Sequence, residues 1–125
     1  LKRIARFHLV DNTRGEPPMW KPDEIRRLDV SLAGNQVTGH VELRTAAGDR
    51  RYKASLRGVI EVKSGRVTRF DLVAHGQFRG EGPYTRGAPK GEFPLANAFR
   101  LADGKDIADG VPPQGSKGHL DGYIR

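Results

Sequence analysis

Between Ile25 and Gly76, apolar and polar residues alternate through four successive segments separated by short turns. Ile25 to Leu32 carries Leu28, Val30 and Leu32 on one face. Gln36 to Thr45 sets Val37, Gly39, Val41 and Leu43 against Gln36, Thr38, His40, Glu42 and Arg44. Arg51 to Val62 turns Tyr52, Ala54, Leu56, Gly58, Ile60 and Val62 one way, and Lys53, Ser55, Arg57 and Glu61 the other. Val67 to Gly76 groups Phe70, Leu72 and Ala74. A period of two marks half-buried strands. Ala33-Gly-Asn35, Ala46-Ala-Gly-Asp49 and Lys63-Ser-Gly-Arg66 supply the turns, the last with Ser-Gly at the centre of a tight hairpin. The pattern predicts a four-strand antiparallel meander over 25–76. Val67 is out of phase with Phe70, which predicts a bulge near Thr68 and Arg69. Strands of ten or so residues, at about 3.3 Å each, are long for so small a domain and must curl. Gly39 and Gly58 are the expected bend points.

The flanks are less regular. Ala5, Phe7 and Leu9 alternate within Ile4–Val10, which reads as an N-terminal strand. Gly15, Pro17, Pro18 and Pro22 then enforce a long loop to residue 24. A Gly-rich loop begins at Gln77, and Phe93 to Leu101 returns to alternation, interrupted by Asn97. A short helix opening at Pro94 fits the same residues, but a strand fits better. Residues 103–125 are Gly-, Pro- and polar-rich and read as an extended arm. The expected fold is one all-β domain over 1–125. It consists of 1–24 (strand and Pro-rich loop), 25–76 (curled meander), 77–102 (Gly-rich loop and further strand) and 103–125 (C-terminal arm). The meander is expected to form a small barrel or a sandwich.

Composition narrows the chemistry. Hydrophobic residues are 36%, below the usual range of about 45–50%, which suits a thin core. The chain has no Cys, which excludes disulfides, thiolate metal sites, a Cys nucleophile and attached c-type haem. No apolar run approaches the roughly 18 residues of a membrane-spanning helix, and no signal or transit peptide is visible. The chain starts at Leu1, which reads as processed, trimmed or internal to a longer chain. His8, His40, His75 and His119 lack metal-ligand spacing, and Asp103, Asp106 and Asp109 lack the spacing of a calcium loop. Gly80-Glu-Gly82 is not followed by the Lys-Ser/Thr of a phosphate loop, and neither Gly-x-Ser-x-Gly nor Ser-x-x-Lys occurs. No cofactor is called for, and enzymatic activity is not the favoured reading.

The net charge of +7 changes the picture more. Eight cations against Asp49 and Glu61 fall between residues 44 and 69. Arg44, Arg51, Lys53 and Arg57 share one sheet face and are the candidate polyanion contacts, although stacking aromatics alternate away from that face. Asp71, His75, Arg79 and Tyr84 follow one another along and after the fourth strand and are candidate small-ligand residues. Asp71 also has a plainer reading, as the ion-pair partner of an Arg on a neighbouring strand. Trp20 and Met19 sit in the Pro-rich loop as either an interface anchor or a plug for the sheet's open end.

The segments Gly58-Val-Ile-Glu-Val, Val67-Thr-Arg-Phe-Asp-Leu-Val-Ala, Gly80-Glu-Gly-Pro-Tyr-Thr and Val111-Pro-Pro-Gln-Gly resemble a β-rich domain of uncharacterised exported bacterial proteins of planctomycete type. The resemblance spans about Ile25 to the C-terminus. It implies an extracytoplasmic (periplasmic or secreted) location and a chain cut from a longer precursor, and it carries no activity, cofactor or catalytic residue. Three functions are therefore expected, in this order. The first is a non-enzymatic binding or self-assembling structural module, with identical subunits or other envelope proteins as partners. The second is a small-ligand β-barrel with possible turnover. The third is polyanion or nucleic-acid binding by the basic sheet face.

Overall fold

A computed structural model describes residues 1–110, Asp121 and Tyr123. Five strands form one antiparallel sheet in sequence order: β1 Ile25–Ala33, β2 Gln36–Arg44, β3 Arg51–Lys63, β4 Arg66–Arg79 and β5 Glu92–Arg100. The four-strand meander is as the alternation predicts, and Phe93–Leu101 is a strand. Gly34 at φ 59 opens a two-residue turn after β1, while Ser64 and Gly65, at φ 51 and 75, form the turn after β3. Two consecutive left-handed residues give a turn whose twist matches the flanking strands. Glu61 pairs with Arg69 and Val62 with Val67, so Thr68 is the extra residue of the predicted bulge.

Three expectations are corrected. The N-terminal segment is not a strand but a helix, α1 Lys2–His8. Ala5 and Leu9, four residues apart, turn to the core, and Phe7 is buried on another side, against Tyr123. The fourth strand does not stop at Gly76; it runs to Arg79, with Phe78 buried and Gln77 and Arg79 outside. The sheet also closes into neither a barrel nor a sandwich. α1 and the Pro-rich loop fill the inner face where a second sheet or barrel closure was expected. Residues 111–120, 122 and 124–125 lie outside the described residues, so most of the expected arm, with His119, is not placed. Tyr123 packs edge-on against Phe7, with ring centroids 5.0 Å apart, and its hydroxyl meets His8 Nε2 at 2.8 Å. Burial lowers the His8 pKa.

The core lies between this cover and the inner sheet face. Trp20, Leu9 and Val10 meet Leu43, Tyr52, Leu72, Ala74 and Phe78. Trp20 is 0% exposed, its Nε1 donates to Leu9 O at 2.7 Å, and Arg50 lies over its ring at 4.0 Å. Arg50 in turn donates to Pro18 O at 2.6 Å and Met19 O at 3.3 Å. The Pro-rich loop is thereby tied to the β2–β3 turn. Trp20 is the plug and not an interface anchor, because every edge of the indole is occupied inside the protein. Met19 is half-buried beside it, with its carbonyl used by Arg50. Asn97, which interrupts the apolar face of β5, is buried and donates to Val10 O at 3.0 Å, so the amide holds the cover to the sheet.

Tyr52 shows how the core is locked. Its buried hydroxyl reaches Ala74 O at 3.1 Å and Leu95 O at 3.0 Å, bridging β4 and β5. Burial pushes the phenol pKa well above its ordinary value. The folded state therefore keeps a proton that the unfolded chain releases above about pH 10. Stability is complete below that pH and falls as pH rises, by at most about 1.4 kcal/mol per pH unit. Tyr52→Phe is expected to cost about 1 kcal/mol at neutral pH and to flatten this alkaline slope. Urea unfolding midpoints followed from neutral to alkaline pH check both; an unchanged slope in the variant would assign it elsewhere.

Candidate functional site: the cationic outer face

The face turned away from α1 is polar because each inward apolar residue of the meander forces its neighbours outward. Strand register sorts these neighbours into rows. Arg44 opposes Arg51, which opposes Arg79, which opposes Glu92. In the next row Arg27, Glu42, Lys53 and Gln77 follow one another, and beyond it come Asp29, His40, Ser55 and His75. Arg57 stands one row further, between Thr38 and Val73. Arg27, His40, Glu42, Lys53, Ser55, His75, Gln77 and Glu92 line a shallow open groove of about 430 Å³. Gly76 belongs to it as well. A Cβ there would lie 1.9 Å from Lys53 O, so β3 and β4 approach too closely at this point for any side chain.

In these four rows six cations meet three carboxylates. Arg51 Nη2 contacts Glu92 at 2.7 Å, Lys53 Nζ contacts Glu42 at 3.3 Å, and Arg27 pairs with Asp29. Among the described residues, Arg44, Arg57 and Arg79 have no carboxylate partner. Three arginines opposed in one row repel one another across adjacent strands. Glu92 pairs with Arg51 at the centre of that row and leaves Arg44 and Arg79 without a carboxylate. The Arg51 Nε donor is buried without a hydrogen-bond partner. The row thus holds excess positive charge in one place, which is what a bound anion would offset.

The candidate polyanion residues Arg44, Arg51, Lys53 and Arg57 do share this face. Arg79, from the small-ligand set, joins them through the row with Arg51. The rest of that set does not converge. Asp71, His75 and Arg79 point the same way but stand four residues apart, about 13 Å at each step. Asp71 pairs with Arg69 on its own strand at 2.5 Å, instead of across strands, and Tyr84 is 76% exposed in the following loop. With no barrel interior, the small-ligand reading loses its chamber. Sequence reasoning missed Arg27 and Glu92 as members of the face. The bulge between Ile25 and Arg27 and the register of β5 decide their place, and neither is visible in a periodicity.

The order Asp29, His40, Ser55 across three strands invites a nucleophilic reading. That chemistry needs the base bonded to both its neighbours. Asp29 is instead held by Arg27, and among the described residues no hydrogen bond joins His40 to Asp29 or Ser55. The acidic loop is likewise committed: Asp109 accepts the N–H groups of Asp103 and Gly104 at 3.0 and 2.9 Å, and Asp106 pairs with Arg100 at 2.7 Å. In the Gly-rich loop Glu81 accepts the Gly87 and Ala88 N–H groups at 2.8 and 3.1 Å, so this loop offers an anion fewer donors than its sequence suggests. Among the described residues no helix is long and apolar enough to cross a membrane. Compared with known proteins, the chain matches no family model, no curated sequence and no solved structure.

Proposed function

We propose that this chain is a non-enzymatic, extracytoplasmic binding module whose outer sheet face holds an anionic polymer. The row Arg44–Arg51–Arg79, three cations against one paired carboxylate, carries the reading. Arginine presents a planar fork suited to carboxylate, sulfate and phosphate groups. Among the described residues the face carries no Phe, Tyr or Trp side chain, its only rings being the imidazoles of His40 and His75, so it lacks the broad platform on which single-stranded bases stack. Acidic polysaccharide, read by its charge spacing, suits such a surface better than single-stranded nucleic acid.

The test uses heparin as the sulfated probe and single-stranded DNA as the comparison. Wild-type affinity for heparin is expected to fall steeply with salt, because binding releases condensed counterions. The triple variant Arg44→Gln, Arg57→Gln, Arg79→Gln removes the cations without carboxylate partners and leaves every ion pair intact. It is expected to lose about tenfold or more in affinity at low salt and to flatten the salt slope by about two. Unchanged affinity in the triple variant, or affinity independent of salt, would overturn the assignment.

A further inference from the structure

We propose that β1 is the contact edge of a symmetric dimer, with a second copy of this chain adding its own β1 in antiparallel register centred on Val30. An open sheet has two edges, and the two differ. β5 carries Pro94, which has no N–H to offer. β1 is a nine-residue strand with no Pro and no Lys, and its only irregularity is the bulge at Arg26. A nine-residue edge strand without Pro is a ready template for another strand, and its charged residues Arg27 and Asp29 lie on the outer face, away from Leu28, Val30 and Leu32.

The register follows from the hairpin. Ala33 and Gln36 close a two-residue turn, and such a closing pair exchanges both its hydrogen bonds. Bonded and non-bonded pairs then alternate, so Leu28, Val30 and Leu32 direct their N–H and C=O groups away from β2. Among the described residues no backbone bond takes them up. The same three residues carry their side chains on the inner face, where Val30 is 38% and Leu32 61% exposed. A dyad centred on Val30 pairs Val30 with its copy and Leu28 with Leu32 in both directions. All three free positions on each strand are then bonded. On the other face Asp29 meets Ser31 and Arg27 meets Ala33, with no like charges opposed. Centring on Asp29 would set two carboxylates against each other, and centring on Ser31 would leave Leu28 unbonded. The strand is therefore complementary to itself in one register.

The dyad stands perpendicular to the sheet, so the two outer faces lie on the same side of a ten-strand sheet. A long anionic polymer could engage both, which multiplies avidity without a new contact. The dimer does not rest on that binding. Its backbone and apolar contacts survive high salt, whereas polymer binding does not, so the two ideas fail separately.

Molar mass by light scattering, across a hundredfold dilution and at low and high salt, reads the prediction. Wild type is expected at twice 13.8 kDa at the concentrated end, whatever the salt. Val30→Pro removes only an outward N–H and is expected to be monomeric with its near-ultraviolet dichroism retained. Leu32→Lys reaches the same end through a charged edge. Because the chain has no Cys, single cysteines report the register. Oxidised Val30→Cys is expected to give a covalent dimer. Ser31→Cys is not, since its Cα atoms would stand beyond the reach of about 7 Å. A wild-type monomer throughout, a dimer that survives both edge variants when folded, or equal cross-linking at both positions would overturn the proposal.

Discussion

Trp20→Ala is expected to unfold much of the protein at temperatures where wild type is stable. Removing a fully buried Trp costs about 3–5 kcal/mol, through lost transfer energy and the cavity left behind. Small domains have only about 5–15 kcal/mol in total. Three further losses accompany the indole. Leu9 O loses its donor. Arg50, whose pKa burial lowers, loses the ring at 4.0 Å that offsets its desolvation. Phe78 loses the tilted aromatic contact at 6.3 Å. The thermal midpoint should fall by roughly 10–20 °C. Trp20→Phe keeps a ring over Arg50 but leaves Leu9 O unpaired, so it should cost less, about 1–3 kcal/mol. Calorimetry of both variants checks this order. A Trp20→Ala midpoint within a degree or two of wild type would mean that the Pro-rich loop is not part of the cooperative core.

The same residue shows what a sequence can and cannot disclose. Three prolines in six positions mark Pro17–Pro22 as a rigid loop, and rigidity fits an interface anchor as well as a plug. The deciding facts are Leu9, Arg50 and Phe78, and they come from three separated parts of the chain. The meander was legible because each of its strands repeats one local rule over eight or more residues and each hairpin carries turn residues that agree. Seven residues at Lys2–His8 give no such leverage. Ala5, Phe7 and Leu9 read as a period of two, and Ala5 and Leu9 read equally as one helical turn. Gly76 misled for a different reason. A glycine in a strand pattern marks either an end or a close approach, and only the position of Lys53 O on the neighbouring strand tells which. Closure of the sheet was beyond reach on the same grounds, since it depends on where α1 sits.

The cationic face was half legible. Its four β2–β3 cations could be placed on one side by parity alone. The repulsive row needs Arg79, and a strand that stops at Gly76 leaves Arg79 in the loop, whereas β4 runs to Arg79. A glycine inside β4 therefore separates Arg79 from Arg44 and Arg51 in the sequence pattern, although the register joins them. The ion pairs that neutralise Arg27, Arg51 and Lys53 depend on register, so the sequence showed the total charge of the face but not which arginines stay free.

Gly76→Ala is the second large effect, and it couples the fold to the site. The added methyl would lie 1.9 Å from Lys53 O and 2.6 Å from Ala54 Cα. Both are backbone atoms, so no side chain can swing aside and one strand has to move. Overpacking a rigid interior costs about 1–3 kcal/mol and sometimes more, and a clash with backbone belongs at or above the upper end. Gly48→Ala is the control. Gly48 sits at φ 73 with nothing within 4 Å of the added methyl, so it carries only the left-handed penalty of about 1–2 kcal/mol. Urea unfolding should place Gly76→Ala well below Gly48→Ala. If the two variants cost the same, the close approach of β3 and β4 is soft and does not shape the groove. If they separate as expected, Gly76→Ala also has to move His75, Gln77 and Arg79 relative to Lys53 and Arg51. Heparin affinity should then fall at least severalfold in the folded fraction, while Gly48→Ala binds as wild type. A Gly76→Ala protein that is strongly destabilised yet binds heparin unchanged would separate the close approach of β3 and β4 from the binding face.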